Sequence, residues 1–238
     1  MTSTTHPRLA PRRGSSAGTW WSKAMLRAVE EAAYHLTDLR KGRSLARSGA
    51  VGAITVSPGH AVAAVTEGDD AFTVEVSVPV LVAEDLSALT ELVATESGHV
   101  AALLTGVLPH QLVEALEEAG VELLPYGGEL GSACTCEAWP DPCPHALAVL
   151  TQLAWLVQAD PFVITHLRGA PRDDVLRDLH RLTTTRGADT DAGAATRPGS
   201  VEGGCTDEPD DFAVAEEAAA RAARTVDQLL AGQSPEGL

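Results

Sequence analysis

Cys134-Thr135-Cys136, a six-residue spacer and then Cys143-Pro144-His145 constrain this chain more than any other stretch. The protein has four cysteines, and three of them fall between positions 134 and 143, with a histidine two residues on. Three thiols and an imidazole supply the donors of a tetrahedral Zn²⁺ site and leave no position for water, so the spacing predicts one structural zinc held by Cys134, Cys136, Cys143 and His145. The other readings fit less well. Cysteines are often only small buried hydrophobes, but three so close together exceed what packing needs. A disulfide between Cys134 and Cys136 would close a strained, very small ring. The local chemistry agrees with metal: Asp141-Pro142 and Pro144 stiffen the second ligand pair. Ala146-Leu147-Ala148-Val149-Leu150 opens an apolar helix with His145 in its first turn. The positive end of that helix favours ionised thiols.

Cys-x-Cys, a short spacer and Cys-x-His resembles the SWIM-type zinc finger, and the flanks are similar to a bacterial, actinobacterial-type group of that family. The matching residues are Trp20-Trp21, Lys41-Gly42-Arg43, the segment Ala102-Leu103-Leu104-Thr105-Gly106-Val107-Leu108-Pro109, Asp160-Pro161-Phe162 and Leu167-Arg168-Gly169, so the likeness runs from about Thr19 to Leu182. The resemblance implies a zinc-binding module with DNA-binding or protein-interaction roles, often beside Swi/Snf-type helicase machinery. One departure bears on that role. Family members commonly carry a basic residue between the last Cys and the His, where this chain has Pro144. The spacer holds Glu137 and Asp141 and no Lys or Arg, which argues against phosphate contact by the finger itself.

Charge narrows the partners. The formal net charge is −16, unfavourable for general nucleic-acid affinity, which depends on neutralising phosphates. The charge is segregated: residues 1–47 carry nine Lys/Arg against three Asp/Glu, whereas residues 48–130 carry thirteen acids and no base. Residues 187–238 carry eleven acids and three bases. Such acidity keeps a chain soluble or suits a basic partner. Any nucleic-acid contact would start from Lys41, Arg43 and Arg47, joined by Arg168, Arg172 and Arg177 if folding gathers them. Residues 1–19 lack the apolar core of a secretory signal. The longest apolar stretch, Ala146 to Val157, is too short to span a bilayer, and no membrane role is expected. Reduced thiols clustered for metal fit a cytoplasmic protein. Cys205, in a Gly- and acid-rich segment, reads as incidental.

In chain order, residues 1–18 read as a disordered arm, and a helix is predicted from Thr19 to about Leu39. Trp20 and Trp21 read as a core anchor. Strands follow at Val51–Ser57, His60–Thr66 and Phe72–Val78, an antiparallel meander joined by Pro58-Gly59 and Glu67-Gly68-Asp69-Asp70. His60 and His99 read as surface histidines. Helices are predicted from a cap at Asp85 or Ser87 through Ala94, from Gly98 to about Thr105 after a cap at Ser97, and from Pro109 to Ala119, with Glu117 and Glu118 on a solvated face. Val121–Pro125 reads as a short strand. The apolar helix from His145 to Gln158 reads as buried, with Trp139 shielding the thiolates. Asp160-Pro161 restarts a short helix that Gly169 closes. A further helix covers Asp173 to Leu182, a linker covers 183–212, and a peripheral helix covers Glu216–Ala231.

The fold class expected is therefore α+β: a small antiparallel meander with several helices, and a zinc finger leading into a buried helix. The regions are an α+β part at 19–130, the finger and its helices at 131–182, and a tail at 213–238. A closed four-ligand shell and the lack of a general base, phosphate loop or nucleophile motif point away from an enzyme with a small-molecule substrate. A non-catalytic module that binds a protein partner is the favoured reading, and a nucleic-acid-binding finger is the alternative.

Overall fold

The computed structural model describes residues 2–13, 18–136 and 138–193. Five antiparallel strands lie side by side in chain order: β1 (Thr4–His6), β2 (Val51–Ser57), β3 (His60–Glu67), β4 (Asp70–Ser77) and β5 (Gly131–Cys134). The central three are the predicted meander, and their alternation sorts side chains by face. Ile54, Val56, Ala61, Ala63, Val65, Val74 and Val76 point into the core, while His60 and Glu75 pair on the solvent face at 2.9 Å. Eight described helices accompany the sheet: α1 (Trp20–Ala32), α2 (Leu36–Ser48), α3 (Ala83–Thr95), α4 (Ser97–Leu104), α5 (His110–Glu118), α6 (Pro144–Ala159), α7 (Phe162–Leu167) and α8 (Arg172–Gly193). The class is α+β.

Helix α6 is the centre of the molecule. Its residues from Pro144 to Val157 are all buried, as expected of a helix apolar on every side. It packs on β2, β3, β4 and β5 and is covered by α1 and α2. Buried polar groups cross between α6 and its covering helices: Trp21 Nε1 donates to the Val157 carbonyl at 3.0 Å. The Ser22 hydroxyl donates to Ala154, and Gln152 Nε2 reaches the Ala46 carbonyl at 2.8 Å. The approach of α2 is set by Gly42. A Cβ there would lie 2.7 Å from Leu147 Cβ and 2.9 Å from the Pro144 carbonyl oxygen.

Leu167-Arg168-Gly169 is also explained by packing. Leu167 is fully buried and Arg168 is 2% exposed. The Arg168 guanidinium donates to the carbonyls of Pro79, Glu122 and Leu123 and to the Glu129 carboxylate. Glu129 ends a 3₁₀ turn, Gly127–Glu129, that rests on the end of α1. Arg168 thus ties together the segments after β4, after α5 and after α7. Gly169, at φ +103°, turns the chain out of α7.

Several expectations are corrected. The arm is not disordered throughout: Thr4–His6 pairs with the edge of β2. Arg8 Nε donates to the Gly49 carbonyl at 2.8 Å and the Arg12 amide to that of Arg47 at 2.9 Å. An edge strand offers unpaired ladder groups, and three β-compatible residues suffice to use them. The single helix from Thr19 to Leu39 is two helices, broken where Ala33 turns extended (φ −70°, ψ 122°) so that α2 can lie along α6. Val121–Pro125 forms no strand, whereas Gly131–Cys134 does, because β4 has an open edge there. His99 is buried, with Nδ1 against the Leu92 carbonyl at 3.2 Å, rather than on the surface. The last helix runs past Leu182 to Gly193, into the stretch read as linker. The rest of that linker, Cys205 and the predicted helix Glu216–Ala231 lie outside the described residues.

Gly42→Ala tests the packing because two effects oppose. In an exposed helix interior, Ala stabilises over Gly by about 1 kcal/mol. Here the added methyl meets α6, so the variant is expected to lose about 1–3 kcal/mol of unfolding free energy. A raised denaturant midpoint would refute the close approach.

Candidate metal centre

Each half of the cluster is placed by ordinary secondary structure. β5 pairs with β4 through Cys134 opposite Val74, and the pairing continues as the Thr135 amide donates to the Thr73 carbonyl at 3.0 Å. Residues i and i+2 of an extended chain share a face, so Cys134 and Cys136 present both sulfurs to the same side. Cys143 is the N-cap of α6, its Sγ accepting from the Ala146 amide at 3.5 Å. Pro144 fills the first helical position, where a missing N–H costs nothing. That gives a structural reason for a proline between the last two ligands. His145 follows in the first turn.

The four donor atoms lie within 4.8 Å of one another, and Cys134 Sγ is 3.8 Å from His145 Nδ1. A tetrahedral Zn²⁺ with bonds of 2.0–2.3 Å separates its donors by about 3.3–3.8 Å. The cluster therefore matches one such ion after a slight contraction. Cys134, Cys136, Cys143 and His145 form a Cys₃His group able to hold a metal ion.

The imidazole is fixed from its other side. His145 Nε2 lies 2.9 Å from Glu67 Oε2. With Nε2–H donating to that carboxylate, the Nδ1 lone pair is left for the sulfur-lined site. Lys41 Nζ holds the second Glu67 oxygen at 2.7 Å. Phe72 stacks on the ring, centroids 4.3 Å apart and planes 23° apart. Lys41, Glu67 and His145 thus run in a chain from α2, through the end of β3, to the three thiols. Hydrogen bonding from Lys41 outweighs partial burial and, with His145, holds Glu67 below the usual carboxylate range. Glu67 had no local sequence signal. It stands 78 residues before His145 and is placed only by the tight β3–β4 turn.

The thiols differ in acidity. Burial pushes Cys134 up to about 12, with the neighbouring sulfurs adding to it, and burial raises Cys143 as well. Cys136 comes down to about 7: burial opposes its charge, but the Ala138 amide, His145 and the two other thiols outweigh it. Without metal, the cluster thus favours a single thiolate stabilised by neighbours that keep their protons.

The remaining expected contact residues do not converge. Lys41 is occupied by Glu67, and Arg43 by Glu30. Arg47 lies exposed at the end of α2. Arg168 is buried, so it cannot meet a phosphate. Arg172 sits over the Phe162 ring at 5.0 Å, and Arg177 pairs with Asp174 on α8. Trp139 does not shield the thiolates. It is 81% exposed and meets Tyr34 edge to face at 5.6 Å. The ring that packs on the cluster is Phe72, over the His145 imidazole.

These features define an α+β protein with a Cys₃His candidate metal centre at the junction of a sheet edge and a buried helix. The chain is 31% identical over 170 residues to the uncharacterized protein Rv2102 of Mycobacterium tuberculosis (strain ATCC 25618 / H37Rv), a match covering 70% of this chain and 61% of that protein. The chain thus aligns with less than two thirds of its relative's length. No protein-family model and no solved structure matches it. Among the described residues, no helix is long and apolar enough to cross a membrane.

Two outcomes are expected. Cys134 and Cys143 keep their protons at neutral pH and release them to the metal, so affinity rises with pH. With two protons displaced, Zn²⁺ affinity should fall about 100-fold per unit from pH 8 to 7, and more steeply below 7 as Cys136 also protonates. Competition against a chelator of known proton dependence measures this, and a flat profile would contradict thiolate ligation. Glu67→Ala should lower Zn²⁺ affinity by about 10- to 100-fold by freeing the imidazole, with the metal-free unfolding midpoint little changed.

Proposed function

We propose that this protein is a non-catalytic module of SWIM type, built around one structural Zn²⁺ and acting through contact with another protein. The observation that carries this reading is the convergence of three thiols and one clamped imidazole into a closed four-donor set. A site with no open position has nowhere to activate water or to polarise a substrate. The order of parts supports the SWIM assignment: Cys-x-Cys at the end of a strand, and Cys-x-His at the mouth of a helix. A Swi/Snf-type helicase as partner, and a cytoplasmic setting, rest on the family resemblance and on thiol chemistry respectively.

In this reading the metal contributes to folding rather than to reaction. It joins β5 to the N-terminus of α6, and through Glu67 and Lys41 it reaches β3 and α2. Losing it should loosen the surface around the finger together with the core helix beneath.

Cys143→Ser tests the reading. The variant should bind much less than one equivalent of zinc, unfold at lower temperature and fail to retain from native extract a partner that the zinc-loaded protein retains. Wild-type stability with full metal content in Cys143→Ser would reject the structural role. Protein purified under reducing conditions with well under one equivalent of zinc would reject the ion.

A further inference from the structure

We propose that the solvent face of α2, with Tyr34 and Trp139 at one end and the N-terminal arm at the other, binds single-stranded nucleic acid. The proposal depends on the zinc reading only through Trp139, which the loop between Cys136 and Cys143 carries. Of the basic residues expected from sequence it keeps Arg47 and adds Arg40, Arg8 and Arg13.

Folding brings the aromatic end together from 105 positions apart. Trp139 is 81% exposed, Tyr34 62% and the adjacent Leu36 69%, although tryptophan is on average a highly buried residue. The two rings meet edge to face with planes at 86°, and His35 packs on Tyr34 at 4.6 Å. An exposed aromatic cluster on a chain that is 4% aromatic marks a binding surface rather than spare hydrophobicity.

Cations continue the surface. Arg40 and Arg47 lie on the exposed side of α2, with no carboxylate partner among the described residues. At the helix C-terminus the arm delivers two more, Arg8 and Arg13, both exposed. It is held there by Arg8 Nε on the Gly49 carbonyl (2.8 Å) and the Arg12 amide on that of Arg47 (2.9 Å). Helix α2, 13 residues long, spans about 20 Å. The face thus offers guanidinium groups along one track and open rings at its end. That pairing suits a flexible strand: phosphates meet the cations while an unstacked base covers Trp139 or Tyr34. A duplex keeps its bases stacked and would leave the rings unused. The acids that dominate residues 48–130 repel a polyanion elsewhere and confine contact to this face.

The test uses the full zinc-loaded chain and a fluorescein-labelled thymidine oligonucleotide of about 16 nucleotides, read by anisotropy at about 50 mM salt. Binding is expected, weakening with salt. Trp139→Ala should weaken it about 5- to 100-fold while zinc content and unfolding midpoint stay at wild type. Arg40→Ala with Arg47→Ala should reduce the slope of log affinity against log salt by about 1.4. No binding by zinc-loaded protein overturns this proposal and leaves the zinc reading standing. Binding by protein that takes up no zinc does the reverse. Equal affinity for a duplex, indifference to both sets of substitutions, or equally effective displacement by poly-aspartate would also overturn it. The last result would assign the face to an acidic protein segment.

Discussion

A helix that is apolar on every side has no face to give to water, so the rest of the chain must enclose it. For α6 the enclosure is made by the sheet below and by α1 and α2 above, and it fixes where the N-terminus of the helix can lie. That end carries Cys143 and His145. The strand that closes the sheet beside it, β5, carries Cys134 and ends one residue short of the Thr135–Thr73 pairing that aims Cys136. The metal cluster is therefore a consequence of core burial as much as a cause of it. Hydrophobic enclosure brings the two ligand pairs near each other, and the ion would remove their remaining freedom.

The electrostatics of the cluster explain why a cation belongs there. Three sulfurs so close together cannot all ionise unaided, since each thiolate disfavours the next. The split between Cys136 near 7 and Cys134 near 12 expresses that competition. A divalent ion reverses it by making the neighbouring thiolates mutually compatible. Glu67 adds negative charge on the far side of the imidazole, which strengthens His145 as a donor. Lys41 offsets that carboxylate from α2, so with an ion in the cluster the charges would alternate in sign outward from it.

What could be read from the sequence was what local pattern controls. The convergence of three cysteines and a histidine followed from spacing, the meander from two-residue alternation, and the buried helix from an apolar run without a polar face. What escaped was decided by partners distant in the chain. Nothing in Val51–Ser57 announces that Thr4–His6 will cover its edge, and nothing around Glu67 announces a histidine. The break at Ala33 has neither Gly nor Pro. It exists because α2 must turn to place Gly42 on Leu147. Trp139 misled for the same reason: proximity in sequence to the thiols said nothing of Tyr34, which draws its ring outward.

The arginines show how burial separates two roles that sequence cannot. Arg168 and Arg47 look alike as letters near other basic residues. Arg168 answers three carbonyls and a carboxylate in a buried junction, where a planar fork of donors is what the site requires. Losing it would strand those groups, so its place in Leu167-Arg168-Gly169 reflects folding. Arg47 donates through Nε to the Arg43 carbonyl and is exposed. The basic character of the first 47 residues thus survives at the surface of α2 and the arm. The apparent basic cluster further along dissolves into the core and into ion pairs on α8. In a chain with a net charge of −16, Arg40 and Arg47 on α2 consequently stand exposed on the helix that follows Tyr34, whose ring meets the exposed Trp139.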